Sequence, residues 1–107
     1  MTRGQNLHDL LLARVDELVA ELLPGARRVG REYRAGSVKG EKGSSLALDP
    51  ATGLWVDHNP AAPEPRQGNL LTLVQAALGL SPAEARRWAW NWLGLPGEPP
   101  RPLRSRM

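Results

Sequence analysis

The chain has 107 residues, enough for one compact domain and too few for two of ordinary size. Apolar residues make up 41% and charged residues 23%, the balance of a globular chain, and the absence of cysteine excludes a disulfide framework and any thiolate metal site. The net charge is only +3 but unevenly spread: residues 26–43 are locally +4 and residues 81–107 are +3, while 1–25 and 44–80 are each −2, a distribution that suits either a polyanionic partner or a solvated charged face.

At the start, Leu7, Leu10, Leu11, Val15, Leu18, Val19 and Leu22 recur at helical spacing opposite Asp9, Asp16 and Glu17. One amphipathic helix is expected here, capped by Asn6 and stopped by Pro24-Gly25, with Gly25 in the left-handed cap conformation. Acidic and basic residues interrupt it every turn, so it is neither a signal peptide nor a membrane span, and a cytoplasmic location is the default expectation. The apolar stripe needs a partner, either the rest of the domain or another chain.

From Arg28 to Arg34 the pattern becomes a short strand with Val29, Arg31 and Tyr33 on one face, before Gly36, Gly40 and Gly43 open a loop. "SSLALDPATGLWVD" then reads as a hairpin, residues 44–49 against 53–57, turned by Asp49-Pro50 and Gly53. Alternation is expected to bury Leu46, Leu48, Leu54 and Val56 on one side and to leave Trp55 and Ala47 on the other. "NPAAPEPRQG" follows as a Pro-rich exposed loop.

Two helices complete the core. One starts at Asn69 and ends at Gly79, with Leu70, Leu73, Val74, Ala77 and Leu78 in its stripe. In the other, Ser81, Pro82 and Glu84 spell a capping box, Gly94 closes the helix, and the stripe Ala85, Trp88, Ala89, Trp92, Leu93 makes Trp88 and Trp92 core residues. Trp90 lies off that stripe near Arg86 and Arg87, where it either packs on the first helix or offers a stacking surface to a base. The Pro- and Arg-rich residues 95–107 read as a tail or linker, so the chain divides into an amino-terminal helix (1–25), a small domain (26–94) and that tail.

Strand, Gly-rich loop, hairpin, loop and Gly-led helix in this order give residues 31–94 a resemblance to the amino-terminal zinc-ribbon domain of bacterial and phage primases. In "SVKGEKGSSLAL", Ser37 and Gly40 stand where that family has Cys and His, and Glu41-Lys42 match its charged pair. In "LWVDHN" and its continuation, Asp57 and Pro60 stand at the second Cys pair, while "GNLLTLV" and "GLSPAEA" match the two helix starts. Every thiolate is lost and one residue is missing from the loop between Gly40 and Glu41.

The resemblance implies an α+β fold: a small antiparallel sheet of about three strands, zinc-ribbon-like without metal, packed with an amino-terminal helix and two carboxy-terminal helices. Asp57, His58 and His8 do not rebuild a tetrahedral set, so no metal and no cofactor is expected, and Trp55, Trp88 and Trp92 are expected to hold the hairpin in place of zinc. It also implies a template-recognition module of a primase-helicase of phage or plasmid type, binding single-stranded nucleic acid, most simply DNA, beside a helicase or primase catalytic domain. No phosphate loop, paired-carboxylate signature or nucleophile elbow is present, so the chain is read as non-enzymatic.

For the nucleic acid, Arg31, Arg34, Lys39 and Lys42 are the expected phosphate contacts, with Arg66 extending the strip if its loop folds back. Tyr33 either stacks on a base or caps the sheet edge. The competing class is a protein-interaction or oligomerisation module that docks the leucine stripe of residues 7–22 on a partner.

Overall fold

The computed structural model describes residues 7–94. The chain runs α1 (Leu7–Ala13), α2 (Val15–Leu22), β1 (Arg27–Val29), β2 (Glu32–Ala35), β3 (Leu46–Leu48), β4 (Trp55–Asp57), β5 (Gln67–Gly68), α3 (Leu70–Leu78) and α4 (Pro82–Trp92). The strands form one antiparallel sheet in the order β1-β2-β3-β4-β5. The α+β class is therefore as expected, with five strands where about three were expected and four helices where three were.

Each of the three extra elements, two strands and a helix, has an identifiable cause. Residues 28–34 are not one strand: Gly30 adopts φ 63° and turns the chain, pairing Val29 with Glu32 across a two-residue loop. Glycine at the first loop position suits the turn that matches strand twist. The first helix is broken at Arg14 (φ −122°, ψ 35°), whose amide reverts to Leu11 O at 3.0 Å. Arg14 is a good helix former, so propensity does not break the helix. Its guanidinium reaches across the molecule instead, donating to Leu93 O at 3.3 Å and lying 4.7 Å from the Trp92 ring centre.

The remaining loop, 59–66, folds back so that β5 pairs with β4. Asn69 and Gly79 cap α3 as read, the Asn69 side chain accepting from the Thr72 amide and Gly79 taking φ 68°. The α4 capping box is complete, Ser81 and Glu84 each accepting from the other's backbone amide. The amide of Ser81, then its hydroxyl, holds the Glu84 carboxyl below its usual range. The Asn6 cap and the 95–107 tail lie outside the described residues.

Gly25 does not take the left-handed conformation; Leu23 ends α2. The glycine is needed for a close approach, because a Cβ there would lie 2.6 Å from Gly40 O. At this crossing the Gly25 amide donates to Gly40 O, and Gly40, at φ 82°, packs against Leu23 and Pro24.

Leu48 pairs with Trp55 and Leu46 with Asp57, so the inward face of the hairpin is one residue out of step with the alternation read from the sequence. Trp55, not Leu54 or Val56, joins Leu46 and Leu48 against the helices; it is 3% exposed, whereas Leu54 is 58% exposed. A one-residue change of register sends every side chain of a strand to the other face. The indole Nε1 of Trp55 donates to Asn69 O at 2.8 Å and ties the hairpin to the start of α3.

One hydrophobic cluster holds Leu7, Leu11, Leu18 and Leu22 together with Leu46, Leu48, Trp55, Leu70, Leu73 and Ala85. Residues on both sides of position 25 thus share a core. The leucine stripe of 7–22 is spent on this chain's own interior rather than presented to a partner. Trp88 and Trp92 are half-buried at the margin of the cluster instead of inside it, their rings stacked at 5.9 Å and 10°. Small Ala85 and Ala89 occupy the true inner positions of α4. Trp90 also packs against the cluster.

Candidate nucleic-acid interface

Register divides the sheet into two faces. Tyr33, Leu48, Trp55 and Gly68 share one row, and Ala35, Leu46 and Asp57 share the next. This face meets the helices: the Tyr33 hydroxyl donates to Asp16 at 2.6 Å, and a Cβ on Gly68 would strike Thr72 of α3. On the other face Arg27 pairs with Arg34, Arg34 with Ala47, Ala47 with Val56 and Val56 with Gln67, while Val29 pairs with Glu32. None of these side chains belongs to the helix-packed cluster.

The basic residues sort by place. Arg27 and Arg34 lie directly opposite each other on the helix-free face. Arg34 is partly neutralised: its Nη2 and Nε reach Glu32 at 2.9 and 3.0 Å, and its Nη1 donates to Ser44 O. Arg27 has no ion pair among the described residues. Like charges opposite one another weaken a strand pair, so this arrangement leaves one cation in want of an anion.

Lys39 and Lys42 join this corner. The loop carrying them crosses Gly25, two residues before Arg27, and its Ser44 carbonyl binds Arg34. Both lysines are exposed; Lys39 lies near enough to Glu41 to attract its carboxylate, and Lys42 has no ion pair among the described residues. The Ser37 hydroxyl donates to Glu41 at 2.8 Å and, with the glutamate's own amide, holds that carboxyl below its ordinary range. Glu41 O accepts from the Gly36 amide at 2.7 Å. Backbone bonds, the Gly25–Gly40 crossing and the Ser37–Glu41 pair therefore hold the loop, while of the three tryptophans expected to hold the hairpin, Trp55 anchors it and Trp88 and Trp92 stack with each other on α4.

Three expected contacts stand apart from the corner. Arg31 sits in the β1–β2 turn, at the opposite end of the strands, where it lines an open groove of about 570 Å3 with Arg28, Asp16, Glu32 and Asp49. Three carboxylates make that groove a poor phosphate site. Arg66 lies on the β5 side, paired with Glu64 at 3.0 Å and donating to Pro60 O at 3.2 Å. Three strand spacings, about 14 Å, separate β5 from β2, so it does not extend the strip. Tyr33 faces the helices, with the Arg28 guanidinium 5.1 Å from its ring centre. Its hydrogen bond to Asp16, reinforced by burial, raises its pKa above the ordinary value. A ring bound in this way offers no free face beside Arg34, which points the other way from the neighbouring position.

Arg27 is the residue that sequence reasoning passed over. Arg27 follows the end of α2, where a cation is favoured by the helix dipole in any case, and its sequence signal is the turn glycine at position 30, which places it opposite Arg34.

The positions read as degenerate zinc ligands show a related arrangement. Ala35, Leu46 and Asp57 form the end row of the sheet, so the segments carrying Ser37–Gly40 and Asp57–Pro60 leave the sheet at the same end. Asp57 is 5% exposed and accepts from the Asn59 amide at 3.0 Å. His8 lies instead against Gly53 in the hairpin turn, at the other end of the strands, and its Nε2 is buried without a hydrogen bond. Among the described residues no three His, Asp or Glu side chains gather as a metal ion would require, and no helix is long and apolar enough to cross a membrane.

Comparison with family models, curated proteins and solved structures finds no match to this chain.

Proposed function

We propose that this chain is a non-catalytic nucleic-acid-binding module serving DNA replication, of the kind that holds a single-stranded template for a separate primase or helicase catalytic domain. The observation that carries the reading is the unneutralised Arg27 directly opposite Arg34 on a sheet face that no helix among the described residues covers, with Lys39 and Lys42 at the same corner. A phosphate backbone passing that corner relieves the Arg27–Arg34 repulsion and releases counterions, which gives affinity without sequence preference. The resemblance to the primase zinc-ribbon domain adds the replication context, supported by the common exit of the two ligand-position segments at one end of the sheet.

Fluorescence anisotropy with a labelled single-stranded oligonucleotide over a salt series tests the reading. Contacts from Arg27, Arg34 and Lys42 give a log–log slope of about −2, each single-strand phosphate contributing about −0.7. No binding at low salt overturns it.

A further inference from the structure

Two unfinished surfaces meet where α4 ends. On α4, Trp88 and Trp92 stack at 5.9 Å but stay half-buried at the margin of the cluster, which leaves aromatic area beside the helix. At α2, Arg14, Glu17 and Glu21 lie three and four residues apart and so share one outward face, on which both glutamates are exposed. Arg14 joins the two surfaces: its guanidinium lies 4.7 Å from the Trp92 ring centre, donates to Leu93 O and pairs with Glu17 at 2.6 Å. Glu21 has no ion pair among the described residues.

The chain leaves the fold at this point. Gly94, at φ 70°, turns it off the end of α4, one residue after the carbonyl that Arg14 holds. The sequence that follows, "LPGEPPRPLRSRM", has proline at 96, 99, 100 and 102, which favours the extended polyproline conformation, where every third residue returns to the same edge. Glu98, Arg101 and Arg104 are spaced to share such an edge, in the order minus, plus, plus. From Arg14 through Glu17 to Glu21 the order along α2 is plus, minus, minus.

We propose that residues 95–104 form a strap across this corner: Pro96 packs against Trp92, and Glu98, Arg101 and Arg104 pair in turn with Arg14, Glu17 and Glu21. Successive charges are about 9 Å apart on a polyproline edge and about 4.5–6 Å apart along a helix, a difference that the long arginine and glutamate side chains take up. Exposed ion pairs are individually weak. Three in matched order hold because the strap is tethered beside its site and its prolines have already removed much of its conformational freedom.

The chain has no cysteine, so spin labels placed through Ala83→Cys, exposed on α4, and Ser105→Cys report one distance distribution in the full chain. Pulsed dipolar spectroscopy at low salt is expected to show one narrow distance. Arg101→Glu with Arg104→Glu is expected to abolish that peak and leave a broad distribution, with unchanged far-ultraviolet circular dichroism showing that the fold is kept. Adding Glu17→Arg and Glu21→Arg to that variant is expected to bring the narrow peak back. A broad distribution before any charge is reversed, a peak that survives the Arg101 and Arg104 reversals, or no recovery with all four reversals overturns the strap. A peak that vanishes when labelled chain is diluted with unlabelled chain also overturns it, because the contact then joins two copies.

Discussion

Truncating Trp55 tests the register on which both faces of the sheet depend. Trp55 is 3% exposed, lies among Leu46, Leu48 and Leu70, and donates its indole N–H to Asn69 O. Removing so large a buried ring costs about 3–5 kcal/mol. For a domain of this size, whose total stability belongs toward the lower part of the ~5–15 kcal/mol range, that is a large fraction of the whole. Each kcal/mol lowers the melting temperature by roughly 4–8 °C in a domain of this length, so Trp55→Ala is expected to melt at least about 12 °C below wild type. Leu54→Ala is the paired control: at 58% exposure its truncation is expected to cost no more than about 0.5 kcal/mol. Urea and thermal melts followed by far-ultraviolet circular dichroism read both without depending on tryptophan emission. If Leu54→Ala costs as much as Trp55→Ala, the strand is in the other register, and the row from Arg27 to Gln67 does not exist.

Two further predictions concern other parts of the fold. Tyr33 is the sole tyrosine, so tyrosinate absorbance reports it alone; it is expected to ionise above the ordinary value near 10 and to return toward that value in Asp16→Asn. Because the folded-state pKa is raised, its contribution to stability is fully present below the unfolded value and is lost as pH rises through the folded one. Gly40→Ala is expected to cost more than about 2 kcal/mol, since φ is +82° and the new Cβ would sit 2.8 Å from Leu23 Cα, whereas Gly79→Ala, also left-handed but in open space, is expected to cost only about 1–2 kcal/mol. Equal losses in denaturant melts would show that the loop moves away from Pro24 rather than crossing it tightly.

What the sequence revealed divides along local and non-local lines. The ends of α3 and α4 were legible to the residue because Asn69, Gly79, Ser81, Pro82 and Glu84 act on backbone groups within one turn. The face of β4 was not, because Leu54, Trp55 and Val56 are all apolar and alternation alone cannot choose among them; pairing with β3 chooses. The break at Arg14 follows from contacts with Trp92 and Leu93, far along the chain, which no periodicity encodes. Whether Tyr33 stacks on a base or packs in the sheet stays open in the sequence because its partner Asp16 lies on a helix whose docking depends on the whole core. At the candidate site, Lys39, Lys42 and Arg34 were legible as a charge cluster. Arg27 was hidden by reading a hairpin as one strand.

The most direct test of the proposed interface compares two charge-matched double variants by oligonucleotide anisotropy across salt. Arg27→Ala with Lys42→Ala removes two cations from the sheet corner, and Arg86→Ala with Arg87→Ala removes two from α4, which packs on α3 and α1 in the helical layer. Both lower the net charge equally, so a difference between them reports position rather than overall field. The corner pair is expected to flatten the log–log slope by about 1.4, two contacts at about 0.7 each, while the α4 pair leaves the slope as in wild type. Equal flattening by both pairs, or a change confined to the α4 pair, contradicts the assignment of the interface to the helix-free face.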